Sequence, residues 1–305
     1  MRTIQSLDLG WLLPPVALAL LPAHELTTVI RPGEGENAYI IDDKPCSRVT
    51  NVLYETIPKN HLYKWQIQMV LASVEAELAK GLLKGSITVA QVPQLLEAAR
   101  NYPDEIMEAA GQWGTRVHGV LQDCIQATLE GLLVVDVPND VSPSVEAFKA
   151  FSMEHEIRWL ATEVTVWDRE LAVAGTVDAI GYGPDGYVIA DWKTGKRIYP
   201  EAALQVSAYA AMVEALYGIT VSKAYVVRFP WRCQDCAGEG FTVGATGYKI
   251  GCDDCKSTGI MPVCKYEVRE VADRERGWQQ FQQQVAQGQY LARSPWVRKK
   301  RKVGG

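Results

Sequence analysis

Two aspartates and a lysine stand close together in GTVDAI at 175–180 and DWKTGK at 191–196, on either side of Gly183-Pro184-Asp185-Gly186. That tetrapeptide is a tight-turn sequence between runs rich in Val, Ile and aromatic residues, so the two segments read as a hairpin. With Pro184 and Asp185 as the central turn residues, paired positions sum to 369, which places Asp178 opposite Asp191. Side chains alternate along a strand, so Lys193 projects on the face of Asp191 while Ala190 and Trp192 project on the other. A one-residue bulge at Gly186 would shift this register. Facing carboxylates repel unless a cation lies between them, and hard oxygen ligands suit Mg²⁺ or Mn²⁺. The lysine would then orient water or polarise a scissile phosphate. The plainer alternative is a solvated strand face on which Lys193 pairs with Asp191.

A second constellation is Cys233-x-x-Cys236 with Cys252-x-x-Cys255, the pairs separated by 15 residues. This spacing lets two knuckles close a tetrahedral Zn²⁺ site, and four thiolates leave no open position, so a structural ion is expected. A redox C-x-x-C and an iron–sulfur cluster compete with that reading, and Cys46 and Cys264 are available to a cluster. CQDCAGEG resembles the C-x-x-C-x-G-x-G unit of the DnaJ cysteine-rich zinc region, although CDDCKSTG keeps only the later glycine. Cys124 falls on an apolar helix stripe and reads as core.

The elements that must position these groups are mixed. Helices are predicted over about 61–80, 93–100, 103–130, 142–156, 200–217 and 274–291, and strands over 159–167, 171–181, 187–193, 222–229 and near 264–271. Ser142-Pro143 is a helix start with proline at the first helical position. In the 103–130 helix, Ile106, Ala110, Trp113, Val117, Leu121 and Cys124 form one stripe. His118 sits one step from it and by itself reads as a packed or partly exposed histidine. Gly111, Gly114 and Gly119 interrupt the same helix and would admit a close neighbour. Gln205 and Tyr209, four apart, share a helix face. The fold class is α/β, mixed α+β, with an irregular arm over 1–40 that has room to add short elements to the fold, a core over 41–229 and 262–293, a four-cysteine insertion over 230–261 and a basic tail over 294–305.

At 305 residues, 48% hydrophobic and 22% charged, the chain has material for a sizeable core, which excludes a disulfide miniprotein and a mainly disordered chain. A net charge of −5 argues against a nucleic-acid coat protein, yet Arg298, Lys299, Lys300, Arg301 and Lys302 concentrate positive charge at one end, where they would contact phosphates, act as an import signal or be solvated. The apolar run Trp11–Pro22 is shorter than the roughly 20 residues of a membrane span and lacks a small-x-small cleavage site. A reducing, cytoplasmic compartment and no membrane partner are expected.

G-T-V-D, D-W-K-T-G-K and Q-x-x-x-Y, in that order, resemble the RecB-like branch of the PD-(D/E)xK nuclease superfamily, and SRVTNVLYETIPK and GTRVHGVL are similar to phage and bacterial members. The resemblance implies a restriction-endonuclease-like fold, a central mixed sheet flanked by helices, and metal-dependent hydrolysis of DNA. It implies Asp178 and Asp191 as ligands of Mg²⁺ or Mn²⁺, Lys193 as the catalytic lysine, Gln205 and Tyr209 as helix residues lining the site, and His118 as the upstream metal-binding histidine. Glu163 matches an acidic position on the preceding strand, as a supporting group or an additional ligand. An exonuclease in recombination, repair or phage DNA processing is the expectation. The alternatives are a CRISPR-adaptation-type iron–sulfur nuclease and a non-catalytic DNA-binding or adaptor protein on the same fold. In iron–sulfur relatives the cysteines flank the core, whereas here all four paired cysteines lie in one insertion.

Overall fold

The turn at Gly183–Gly186 closes the hairpin that its sequence predicts: Ala179 pairs with Ala190, Ile180 with Ile189 and Gly183 with Gly186, with no bulge at Gly186. The computed structural model describes residues 4–8, 28–32, 38–84, 88–132, 134–229, 241–243, 249–251 and 266–293. In chain order these hold β1 (Ile4–Asp8), β2 (Val29–Ile30), β3 (Ala38–Ile41), β4 (Lys44–Arg48), α1 (Val49–Thr56), α2 (Asn60–Lys84), α3 (Val92–Leu129) and β5 (Val134–Pro138). Then follow α4 (Ser142–Glu154), β6 (Arg158–Asp168), β7 (Val173–Gly183), β8 (Gly186–Lys193), α5 (Glu201–Tyr217) and β9 (Val221–Arg228). The last are β10 (Phe241–Val243), β11 (Lys249–Gly251), β12 (Glu267–Glu270) and α6 (Arg274–Arg293).

One expectation about elements is corrected. The helices predicted over 93–100 and 103–130 are one, α3, with Pro103 inside it. Proline at 103 leaves the carbonyl of Ala99 without its helical donor. Both residues are buried and α2 packs along α3, so tertiary contact carries the helix through. The arm adds short strands to the fold: β1 pairs with β5, and β2 and β3 join the main sheet.

That sheet is mixed and eight-stranded, in the order β12-β9-β8-β7-β4-β3-β2, with β6 also on β7. The β8–β9 and β4–β7 pairings are parallel and the rest antiparallel. Helices cover both faces. On one, Val117, Leu121 and Ile125 of α3 and Phe148 and Phe151 of α4 meet Trp159, Ala190 and Trp192. On the other, α1, α5 and α6 bury Leu53, Val206, Met212 and Phe281 against Ile180, Ile189 and Val226. Ile189 and Ala190 thus face opposite cores, as strand alternation demands. Helix α5 is apolar around much of its girth because it lies between the sheet and α6, and it ends at Gly218 with φ 64, the left-handed cap glycine allows. Among the described residues no helix is long and apolar enough to cross a membrane.

Candidate active site

The site lies where one edge of β7 is shared by two strands. Along its other edge β7 pairs with β6 over nearly its whole length. On the shared edge, β4 takes Val173 and Ala174, and β8 begins only at Ala179. Gly175–Asp178 therefore have no strand partner there, and β4 and β8 diverge around them as a fork. The ladder stops one step before Asp178 and Asp191, whose backbones open apart. In place of a ladder bond, the Trp192 N–H donates to Asp178 Oδ2 at 2.6 Å. Asp191 and Lys193 continue on β8, and Trp192 between them is buried in the opposite core.

Helix α5 locks the β8 arm of the fork. Lys193 Nζ lies 2.6 Å from Asp191 Oδ2 and donates to Gln205 Oε1 at 3.0 Å. Gln205 Nε2 in turn donates to Asp191 Oδ1 at 2.9 Å and to the Tyr209 hydroxyl at 3.2 Å. One amide thus fixes both charged partners, which accounts for its place on a helix face shared with Tyr209. Tyr209 approaches β7 so closely that a Cβ at Gly175 would lie 2.5 Å from its ring. The glycine of G-T-V-D is there to admit that ring. Of the three glycines expected to permit close approach along α3, Gly114 does so, with Thr194 Oγ1 3.1 Å from its would-be Cβ, while Gly111 and Gly119 have nothing within 4 Å among the described residues.

His118 reaches the fork from α3, with Nδ1 3.3 Å from Asp178 Oδ1. Glu163 stands in β6 across from Asp178, where Thr162 pairs with Ala179 and Val164 with Val177 on either side. Its φ of 54 is left-handed, a costly conformation for a residue with a Cβ and one that clusters at functional sites. Arg31 braces it: the guanidinium hydrogen-bonds to the Glu163 carbonyl and to Thr165 Oγ1, and Nη1 lies 3.5 Å from Glu163 Oε2. A cleft of about 410 Å³ joins all seven predicted residues, Asp178, Asp191, Lys193, His118, Glu163, Gln205 and Tyr209. Arg31, Tyr39, Arg48 and Thr176 also line it; no local spacing links the first three to the hairpin, and Thr176, within G-T-V-D, reads as an ordinary strand residue. Cys233, Cys236, Cys252 and Cys255, with the Zn²⁺ or cluster expected on them, lie outside the described residues, as do Arg298, Lys299, Lys300, Arg301 and Lys302.

Burial and charge pull against each other at Asp178, Asp191, His118 and Lys193. Burial pushes Asp191 above the usual carboxylate range; Lys193 pulls against this, while Asp178 adds to the rise. Burial acts the same way on Asp178, but the facing His118 and the Lys193 charge outweigh it and its pKa falls. Burial would lower His118 and Lys193, yet the aspartates hold both above their ordinary values. Glu163 is raised by burial and by Asp178. Lys193 is accordingly a protonated cation, suited to orienting an anion and unsuited to removing a proton.

Among the described residues no three His, Cys, Asp or Glu side chains already form a metal cage. The donor set nonetheless fits a hard divalent cation: two buried carboxylates and an imidazole line one open cleft. Asp191 Oδ2 is buried with the Lys193 ammonium 2.6 Å away, and Asp178 Oδ1 faces His118 Nδ1 at 3.3 Å, so both carboxylates already attract positive charge. Residues 91–296, more than half the chain, match the model of the PD-(D/E)XK nuclease superfamily. The chain belongs to the PD-(D/E)XK nuclease superfamily. Its mixed sheet flanked by helices agrees with the restriction-endonuclease-like fold of that superfamily, and nuclease activity is what membership suggests. No curated protein matches the chain.

Proposed function

We infer that this PD-(D/E)XK protein is a RecB-like, Mg²⁺- or Mn²⁺-dependent deoxyribonuclease whose active site is the fork in β7, and that it acts as an exonuclease. The observation that carries the reading is the buried Asp178 and Asp191 with half-buried Lys193 lining one cleft, Asp191 and Lys193 both held by the Gln205 amide. His118, Asp178 and Asp191 would hold the ion, with Glu163 in reserve as an additional ligand or a support. When bound, the ion supplies Lewis-acid polarisation of the phosphate and makes a nucleophile of water at neutral pH.

The chain's own residues do the rest. Lys193, protonated and anchored, offers its ammonium to a non-bridging oxygen and offsets the charge that builds on the phosphate. Gln205 keeps Asp191 and Lys193 in register, and Tyr209 walls off that side of the cleft, where burial and the neighbouring Asp191 hold its hydroxyl neutral. DNA processing in recombination, repair or phage replication is the setting this chemistry serves. A structural Zn²⁺ on the four paired cysteines would fold the insertion between β9 and β12.

Incubation of end-labelled linear and circular single-stranded DNA with the native protein and Mn²⁺ tests the exonuclease reading. Linear DNA should disappear while circles persist. Cutting of circles at the same rate would make the enzyme an endonuclease, and binding without any cutting would favour a DNA-binding module.

A further inference from the structure

Of the charged and titratable basic groups lining the cleft, all but one have a partner within it. They comprise the carboxylates of Glu163, Asp178 and Asp191 and the basic groups of Arg31, Arg48, His118 and Lys193. Lys193 is matched by Asp191, His118 by Asp178 and Arg31 by Glu163. Arg48 is left over. Among the described residues its half-buried side chain has neither a hydrogen bond nor an ion pair, although it stands in a cleft rich in carboxylates.

Its position gives that unpaired guanidinium a direction. Arg48 closes β4, and its backbone pairs with Ala174, immediately before the unpaired stretch of β7. It therefore stands on the opposite bank of the fork from Asp191 and Lys193. The next residue starts α1, whose first turn has no acidic residue and no side-chain cap, and Val49 and Thr50 line the same cleft. A guanidinium offers planar, bidentate donors matched to phosphate oxygens, and free N–H groups of a helix start add to its preference for an anion. We propose that Arg48 is a substrate-holding residue that grips a phosphodiester of the DNA strand across the fork from Lys193. Arg31 cannot serve in its place, because its guanidinium is already engaged by Glu163 and Thr165. The proposal rests on the nuclease reading and extends it to a residue outside the matched span of 91–296.

DNA affinity measured in EDTA over a range of salt, for the native protein and for Arg48→Ala and Arg48→Lys, tests it, alongside cleavage in Mn²⁺. Arg48→Ala should weaken binding about tenfold and reduce the slope of log affinity against log salt by about one phosphate contact, with an unchanged melting temperature. Arg48→Lys should keep the slope, because the charge stays, and still bind more weakly, because the bidentate fork is gone. Should Arg48→Ala fail to fold, Arg48→Lys decides: weaker binding at unchanged slope supports the assignment, and native affinity overturns it. Native affinity and slope in a folded Arg48→Ala, while the native protein cuts DNA with metal, would also overturn it and leave the nuclease reading standing. A native protein that neither binds nor cuts DNA sinks that reading, and this assignment with it.

Discussion

Lys193→Ala should lower the single-turnover rate of DNA cleavage by about a thousandfold, within the range that one positioned charged or proton-handling group contributes. The ammonium lies 2.6 Å from Asp191 Oδ2 and 3.0 Å from Gln205 Oε1, so it is aimed before substrate arrives. Alanine removes that charge without closing the cleft, and DNA affinity should change little, since affinity comes from contacts along the strand. Folding should survive as well. The orphaned Asp191 is already raised by burial and can take up a proton, which limits the penalty of an unpaired buried carboxylate to no more than about 3–5 kcal/mol. Cleavage at the native rate by a folded Lys193→Ala protein would remove the lysine from the chemistry.

Gly175→Ala should be nearly as damaging although it touches no charge. The added methyl would lie 2.5 Å from Tyr209 Cε1, and Tyr209 is only 3% exposed, so the ring has nowhere to retreat. Overpacking of this kind costs about 1–3 kcal/mol. The larger effect is on geometry, because Tyr209 accepts a hydrogen bond from the same Gln205 amide that holds Asp191 and Lys193. A displacement of about 1 Å there should lower the cleavage rate by up to about a hundredfold. Gly119→Ala is the matched control: among the described residues nothing lies within 4 Å of its would-be Cβ, and alanine in mid-helix should raise stability by up to about 1 kcal/mol without loss of activity. Equal behaviour of the two variants, by melting temperature and cleavage rate, would contradict the packing argument.

What the sequence reveals and what it hides divide along a physical line. The hairpin register was legible because a two-residue turn and a period of two leave one alignment, and the faces of Ile189, Ala190 and Trp192 follow from it. The shared helix face of Gln205 and Tyr209 was legible for the same local reason. The fork was not, because it depends on where β4 docks on β7, a pairing between segments more than a hundred residues apart. Without it, Asp178 and Asp191 read as ladder partners, whereas Asp178 in fact receives the Trp192 N–H. His118 is a case between the two: helical spacing places it beside an apolar stripe but cannot supply its partner, Asp178, which arrives from another element. The left-handed Glu163 had no signal, since nothing in its residue type marks that backbone, and its brace, Arg31, lies 132 positions earlier. Pro103 misled because a local breaker was overridden by packing on α2.

The most direct test is cleavage of end-labelled linear DNA by the native protein in Mn²⁺ and in EDTA, with Asp178→Asn assayed beside it. DNA should be lost in Mn²⁺, not in EDTA, and little or not at all with Asp178→Asn, because the amide is a poorer ligand and cannot hold the charge that balances His118. Cleavage that persists in EDTA, or that survives in Asp178→Asn at the native rate, would show that the fork in β7 is not where this protein cuts.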